Sequence, residues 1–222
     1  MESEDRHSKA AEVELIADPD ERAKQEARNG LRQFDVAIQQ IESSLQPDRP
    51  YRSRPSAILL LNRIALEGLT KYAGSYRPTD IEIGGSTHKP PPAYLVPELV
   101  EKLCDYVNEN WNRSPIHLAS YVMWRLNWIH PFVDGNGRTT RATSFVTLCV
   151  RLGYRVPGPN TIPEQISKNK TPYYEALELA DKSIANGKNV DLSAMEALLG
   201  KLLTNQLAGV IHDANLDKTT DG

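Results

Sequence analysis

The chain has 222 residues, of which 40% are hydrophobic and 25% are charged, and its formal net charge is -3 at pH 7. This length provides for one well-buried core with extensions, and the mixed charges form no basic field that would favour nucleic acid or an anionic membrane as a partner. The charged N-terminus lacks the apolar segment of a signal peptide, and no apolar run reaches membrane-spanning length. Cys104 and Cys149 lie in apolar patterns, so we expect buried thiols in a reduced, cytoplasmic protein.

The N-terminal region, residues 1–50, is predicted to form a helical arm. Residues up to about Asn29 are rich in Glu, Arg, Lys and Ala, which is typical of a solvated or frayed helix. Apolar residues then recur at helical spacing, which predicts an amphipathic helix with a buried face. That predicted face consists of Leu31, Phe34, Ile38, Ile41 and Leu45. Two prolines, Pro47 and Pro50, end the pattern.

The rest of the chain is predicted to be a helical bundle. Apolar periodicity and breaker residues place helices at residues 56–71, 96–110, 117–129, 138–152, 173–185 and 192–211. The polar residues after His212 predict a loose tail. Ile81, Glu82 and Ile83 alternate apolar and polar side chains before the turn residues Gly84 and Gly85, which predicts a short hairpin-like flap. An ordinary surface hairpin is the alternative.

The densest group of functional side chains lies in residues 130–141, HPFVDGNGRTTR. A residue before proline is disfavoured in a helix, so the preceding helix is expected to end with His130 at its C-terminal edge. This position and the ordinary pKa of imidazole suit a general base. Asp134 offers the hard oxygen that Mg²⁺ prefers. Phe132 is expected to anchor the loop in the core.

The second half of this window predicts an anion site. Gly135, Asn136 and Gly137 form a turn without bulk before a helix that begins near Arg138, so backbone N–H groups and the positive end of the helix dipole are expected to meet there. Arg138 and Arg141 are three residues apart and share a helix face that could bind successive phosphates. Each residue alone is typical of a turn or a solvated helix, but their order in one window predicts a phosphate site.

This window resembles the signature of the Fic (Fido) family, His-x-Phe-x-Asp/Glu-Gly-Asn-Gly-Arg-x-x-Arg, at every specified position. Residues 73–77, 83–85 and 96–97 resemble the family's flap region, and residues 173–177 resemble its downstream helix. The resemblance implies an all-α, Fic-type helical bundle with a short β-hairpin flap over the active site. It assigns the N-terminal helical arm to residues 1–50, the catalytic domain to 55–205, and a C-terminal helix end with a flexible tail to 206–222.

The resemblance also implies an activity. The expected reaction moves AMP from ATP, with Mg²⁺, to a Ser, Thr or Tyr hydroxyl of a target protein or of the protein itself, and releases pyrophosphate. His130 would deprotonate the hydroxyl and Asp134 would hold the metal. The anion hole would be lined by Gly135, Asn136 and Gly137. The β and γ phosphates would be bound by Arg138 and Arg141. The target would add as a strand to the flap, which consists of Ile81, Glu82, Ile83, Gly84 and Gly85.

Gly137 bears on the reaction subtype. A sister group that resembles the toxin Doc has lysine at this place and acts as a protein kinase, whereas this sequence keeps glycine, which favours AMP transfer. Two alternatives stay open: transfer of another nucleotidyl or phosphoryl group, and a catalytically silent module that binds a nucleotide or a partner.

Many family members carry an inhibitory helix with the pattern Ser/Thr-x-x-x-Glu-Gly/Asn, whose glutamate pairs with the second arginine of the signature. Glu67 and the glycine after it match the end of this pattern, but Arg63 stands at the Ser/Thr position. Glu26 lies in the N-terminal region, with Arg22 at that position. For both, the alternative is an ordinary helix residue with a salt-bridge partner. Homo-oligomerisation and an inhibitory partner protein also stay open.

Overall fold

The structure, a computed structural model, describes residues 8–9, 15–48, 50–185 and 189–220. In this part of the chain it contains eight α-helices and two very short strands, so the predicted all-α class is confirmed. The elements are β1 (Ser8–Lys9), α1 (Pro19–Ser44), α2 (Pro55–Leu66), β2 (Glu82–Ile83), α3 (Val96–Glu109), α4 (Pro115–Ile129), α5 (Asn136–Leu152), α6 (Ile162–Lys168), α7 (Thr171–Ala185) and α8 (Ser193–Thr220), with a 3-10 turn at Ala93–Leu95.

The central helix is α5, which packs against α1, α2, α4 and α6. Many of its buried residues carry hydroxyl groups, and these hydroxyls bond to helix carbonyls. Thr143 donates to the Thr139 carbonyl at 2.8 Å, and Ser144 donates to the Ala119 carbonyl of α4 at 2.8 Å. Because a buried hydroxyl is costly only without a partner, this helix can be buried on most sides despite its low hydrophobicity.

Between Pro19 and Ser44 the N-terminal arm is one continuous helix, α1, rather than a solvated segment followed by an amphipathic helix, and residues 1–7, 10–14 and 49 of the predicted arm lie outside the described residues. Asp18 caps it by accepting hydrogen bonds from the backbone N–H groups of Asp20 and Glu21, each at 2.9 Å. The predicted apolar face is wrong at two of its positions, since Leu31 is 72% exposed and Phe34 is 36% exposed.

The buried ridge of α1 includes polar residues instead. Asn29 donates to the carbonyls of Ala65 and Glu67, at 3.3 and 2.8 Å, and Gln33 donates to the Leu61 carbonyl at 3.0 Å. The Ala65 and Glu67 carbonyls lie at the C-terminal end of α2, where helix carbonyls lack intrahelical donors, and the Leu61 carbonyl lies about one turn earlier in the helix. The arm is therefore joined to the first core helix by hydrogen bonds, which a search for apolar periodicity does not detect.

Replacing Asn29 with alanine is expected to lower the free energy of unfolding by about 1–3 kcal/mol, because the Ala65 carbonyl loses its Asn29 donor and the Glu67 carbonyl keeps only the longer bond from Gln25, at 3.4 Å. Arg28→Ala, an exposed change one residue earlier, should alter it by less than about 0.5 kcal/mol. Urea titration of both variants against the wild-type protein measures the difference. Equal stability of the two variants would show that the Asn29 hydrogen bonds do not hold α1 in place.

Several predicted boundaries change in the structure. α2 ends at Leu66 rather than at residue 71, because Glu67 is extended and Gly68 has a φ of 75°. α8 continues to Thr220, past the predicted helix end at residue 211 and through part of the predicted tail. The sequence analysis missed α6, although Thr161 and Glu164 form a capping box at its start and the Thr-x-x-Glu spacing is a recognisable signal.

Both cysteines are buried, as predicted. Cys104 is 2% exposed and Cys149 is fully buried. Burial raises the pKa of each thiol to about 11, so both are protonated packing residues near neutral pH.

The flap contains the predicted turn but has a different strand partner. The Ser86 N–H donates to the Ile83 carbonyl at 3.3 Å across the Gly-Gly turn. In the described part of the chain, however, β2 does not pair with a returning strand. Its partner is β1, with Ser8 opposite Ile83 and Lys9 opposite Glu82 in antiparallel register. The two-residue strand is thus completed by the N-terminal segment rather than by the second arm of a local hairpin.

Candidate functional site

His130 lies directly after the last residue of α4. Its N–H closes the helix by donating to the Leu126 carbonyl at 2.9 Å, and its φ of 48° places it in the left-handed region. Non-glycine residues seldom adopt this conformation, and such strain concentrates at functional sites. The residue is only 6% exposed. Pro131 explains the helix end, as the sequence predicts.

Burial lowers the pKa of His130 to about 3. A hydrogen bond with the Asn127 backbone and the carboxylate of Asp134 oppose this shift, whereas the positive charges of Arg77 and His88 add to it. The imidazole is therefore neutral at neutral pH, which is the form that accepts a proton.

A lowered histidine pKa also predicts a pH dependence of stability. The unfolded chain takes up a proton at His130 near pH 6.5, whereas the folded chain does so only near pH 3, so folding stability falls as the pH falls between these values. From pH 6.5 to 4.5, the wild-type free energy of unfolding should fall by about 2–3 kcal/mol more than that of His130→Asn. Asparagine does not titrate and tolerates positive φ. Parallel urea titrations test this, and identical pH slopes would contradict it.

The loop after His130 is braced by the side chain of Asn136. Its Oδ1 accepts from the Phe132 N–H at 2.9 Å, and its Nδ2 donates to the Phe132 carbonyl at 2.8 Å. Phe132 itself is 1% exposed and lies in the core, as predicted. The Asn136 side chain, which the resemblance assigns to the anion hole, thus fixes the loop shape, while its backbone begins α5.

The N-terminus of α5 lies at the place where the sequence predicts a phosphate cradle. Gly135 is the N-cap with a φ of 73°, and the Thr139 N–H donates to the Gly135 carbonyl at 2.9 Å in the first turn of the helix. The N–H groups of Gly137 and Arg138 precede it, where helix donors have no intrahelical acceptor. A Cβ at Gly135 would lie 3.1 Å from the side-chain amide nitrogen of Asn62. Glycine therefore suits this position both because a side chain would be crowded and because φ is positive.

The charged residues of the motif meet at this helix start. An Arg138 nitrogen lies 3.1 Å from Asp134 Oδ2, and Asp134 Oδ1 accepts from the Gly135 N–H at 2.5 Å. A Cβ at Gly137 would lie 3.1 Å from Nη1 of Arg141. The structure therefore brings the carboxylate, both guanidinium groups and the cradle to one place, next to His130 in the chain.

Asp134 is the candidate metal ligand. In the described part of the chain, no group of three or more His, Cys, Asp or Glu side chains could hold a metal ion. Mg²⁺ at a polyphosphate needs only one or two carboxylates, because phosphate oxygens and water complete its shell. The Asp134 side chain is 35% exposed at the cradle, so its position and donor chemistry fit such an ion.

The two glutamates considered as inhibitory residues have ion-pair partners on α1. Glu67 pairs with Arg32, and Glu26 pairs with Arg22 at 3.3 Å. The Glu26–Arg22 pair is the i,i+4 pair expected of an ordinary helix residue, whereas Glu67 lies just after α2 and its pair with Arg32 joins it to α1.

Asn62 of α2 was missed by the sequence analysis. It is fully buried, and its Nδ2 donates to the Asp134 carbonyl at 3.1 Å and to the Thr139 hydroxyl at 3.3 Å. Its Oδ1 accepts from the Gly74 N–H at 3.0 Å. One amide therefore connects α2, the motif loop, α5 and the segment that leads to the flap.

Arg77 was also missed, although it ends the AGSYR segment that carries part of the resemblance. Its guanidinium donates to the His130 carbonyl at 2.9 Å, to the Thr79 carbonyl at 3.1 Å and to the Pro91 carbonyl. The side chain is fully buried. Burial lowers the pKa of Arg77, and the nearby Asp80 carboxylate opposes that shift. Arg77 thus ties both ends of the flap to the backbone of His130.

His88 holds the far end of the flap. Its Nε2 lies 2.8 Å from the Trp128 carbonyl, and because a carbonyl only accepts, this nitrogen carries the proton. Nδ1 lies 3.9 Å from Asp181 of α7. The flap is therefore connected to α4 and α7 as well as to the motif loop.

Comparisons with known proteins identify the family of this chain. A sequence model of the Fic/DOC family matches residues 53–148. A protein adenylyltransferase Fic from Drosophila willistoni is 32% identical over 157 residues, which cover 69% of this chain and 29% of the relative. The same protein from Drosophila grimshawi is 32% identical over 157 residues, and 30% of that relative is covered. This chain belongs to the Fic/DOC family. It spans less than a third of the length of these curated relatives.

Solved structures show the Fic fold over most of the chain. A Fic domain containing signaling protein from Bacteroides thetaiotaomicron matches with a TM-score of 0.68 and 22% identity, covering 87% of this chain and 73% of the other. Fic-1 from C. elegans matches with a TM-score of 0.64 and 24% identity, covering 92% and 55%. The matched Fic segment contains His130, the cradle, Asn62, Arg77 and the flap. In the part of the Fic chain that the structure describes, no helix has both the length and the apolar character to cross a membrane.

Proposed function

We propose that this Fic protein transfers AMP from ATP to a Ser, Thr or Tyr hydroxyl of a target protein. The observation that carries the proposal is that a buried, neutral His130 lies in the loop just before the N-terminus of α5, and that Arg138 and Arg141 lie in the first turns of this helix. Such a cradle suits a polyphosphate, and a neutral base suits removal of a proton from a hydroxyl. The names of the Drosophila relatives, protein adenylyltransferase, support the same reaction.

In the proposed reaction, the target hydroxyl oxygen attacks the α-phosphorus of ATP while His130 takes its proton. A bond forms between that oxygen and the α-phosphorus, the bond to the β-phosphate oxygen breaks, and pyrophosphate leaves. The N–H groups at the start of α5 and the two arginines stabilise negative charge on the phosphates. Asp134 would hold Mg²⁺, which would neutralise charge on the phosphate oxygens.

The flap is proposed to bind the target segment. Ile81 and Ile83 are buried against the protein, whereas Glu82 is exposed. A strand at a sheet edge offers backbone groups to an added strand. Because Arg77 fixes both ends of the flap to the His130 carbonyl, a target bound there would be held in a defined position relative to the base.

ATP labelled at the α or the γ phosphate tests the proposal in an extract of the source organism. Protein that acquires the α label, and not the γ label, supports AMP transfer, and mass spectrometry of the labelled protein identifies the modified residue. Transfer of the γ label would indicate a kinase. Absence of both labels, with ATP still bound, would indicate a silent binding module. His130→Ala serves as the matched control in each arm.

A further inference from the structure

The edge of the flap strand already has a partner within the same chain. Residues 8–9 pair with β2 in antiparallel register, and the described part of the chain contains no other strand pair. Pairing of this kind uses backbone N–H and carbonyl groups. A second extended segment cannot use the same edge until the first one leaves.

The N-terminal segment has a second attachment close to the motif loop. The Leu15 N–H donates to the Leu69 carbonyl at 3.2 Å, and Ile16 packs against the hydrophobic cluster of Ala65, Leu66 and Leu69. A Cβ at Gly135 would lie 3.3 Å from the Leu66 side chain, so this attachment lies beside the N-cap of the cradle helix. The segment is thus held at the flap and again next to the phosphate cradle.

We propose that residues 8–9 occupy the flap edge on which a target segment docks, so that the N-terminal segment and the target compete for it. This inference rests on the proposed function, because it takes the β2 edge as the docking place. The interaction is made through the backbone, and the occupant is an extended segment of this chain. Target binding therefore requires that the N-terminal segment be displaced.

The pairing is short enough to be displaced. A sheet of two residue pairs is only marginally stable. It can still form here because the segment is tethered to the flap by the same chain, which gives it an effective concentration on the order of millimolar. A competing peptide binds only those molecules in which the edge is open. Its apparent affinity is therefore its intrinsic affinity multiplied by the fraction of open molecules. Opening the edge should therefore strengthen binding of an added peptide without any new contact.

Ser8→Pro/Lys9→Pro in the full chain tests the competition. Proline has no backbone N–H, so replacing both residues removes whichever of the two N–H groups faces β2, whereas Ser8→Ala/Lys9→Ala keeps both N–H groups and serves as the matched control. Neighbouring N–H groups of a strand point to opposite sides, so the one amide of Glu82 and Ile83 that faces β1 should exchange its hydrogen at least about tenfold faster in the proline variant than in the wild type. The alanine variant should exchange like the wild type.

The binding probe is a fluorescent synthetic peptide with the sequence of residues 1–14, measured by anisotropy without ATP. It should bind the proline variant at least about tenfold more tightly than the wild type or the alanine variant. Equal binding to all three proteins, or no binding to the proline variant, would overturn the proposal. So would unchanged exchange at residues 82–83.

The activity assay separates this proposal from the proposed function. If α label appears on extract proteins, the proline variant should label them several-fold more than the alanine variant, and equal labelling would refute competition with the target. If no variant transfers α label, the proposed function fails, while the exchange and peptide measurements still decide whether the N-terminal segment occupies the flap edge.

Discussion

His130→Ala is expected to reduce α-label transfer by roughly 10²–10⁴-fold, the usual contribution of a general base. The imidazole is neutral because burial lowers its pKa, and no other histidine lies in the motif loop. ATP binding should change little, because the cradle at the start of α5 and the arginines stay in place. The measurements are initial rates of labelling with α-labelled ATP and the dissociation constant for ATP.

The control for this variant is His117→Ala, at the opposite end of α4. His117 contacts Glu196 at 2.7 Å and the Tyr106 hydroxyl at 2.9 Å, so its loss should affect packing of α8 and leave the transfer rate within about twofold when assayed well below the unfolding temperature. His130→Asn tolerates the positive φ and should lose as much activity as the alanine variant. Undiminished labelling by either His130 variant would remove His130 from the mechanism.

Arg77→Ala is expected to lower the free energy of unfolding by about 3–5 kcal/mol, because three carbonyl groups lose a buried donor. For a chain of this size, that corresponds to a fall in the unfolding temperature of about 10 °C. Thermal unfolding followed by circular dichroism measures the change. Below the transition, amides in residues 79–91 should also exchange faster, since both ends of the flap lose their attachment.

Two further variants serve as controls for the stability change of Arg77→Ala. Arg77→Lys keeps the charge but cannot donate in three directions from a planar group, so it should fall between the alanine variant and the wild type. Arg113→Ala, an exposed arginine, should change the unfolding temperature by less than about 2 °C. An unfolding temperature of Arg77→Ala equal to that of Arg113→Ala would show that the three carbonyls do not depend on Arg77.

The local features of the site could be predicted from the sequence. Pro131 sets the end of α4, so the position of His130 follows from one neighbouring residue. The glycine turn sets the start of α5, and Arg138 and Arg141 follow in its first turns. These relations act within a few residues along the chain, and backbone sterics and helix periodicity determine them. The helical class of the fold follows from the same periodicity, repeated along the chain.

What holds the site together was decided by the tertiary structure. Arg77 and the His130 carbonyl are 53 residues apart in the chain, and no local pattern relates them. Asn29, Asn62 and Arg77 are polar, so a hydrophobicity pattern assigns them to solvent, yet each is buried because it satisfies carbonyls that a folded core would otherwise leave without donors.

The strand that pairs with β2 could not be predicted from the sequence for a related reason. The alternating residues at 81–83 predict a strand, but a strand's pairing depends on which backbone edge reaches it in space. Sequence alone thus determined the helical class, most of the helices, the motif and the chemistry of its side chains, because these depend on neighbouring residues. Only the tertiary structure decided which distant polar groups brace the motif and which segment pairs with the flap, because hydrogen bonds between distant segments form only after the chain has folded.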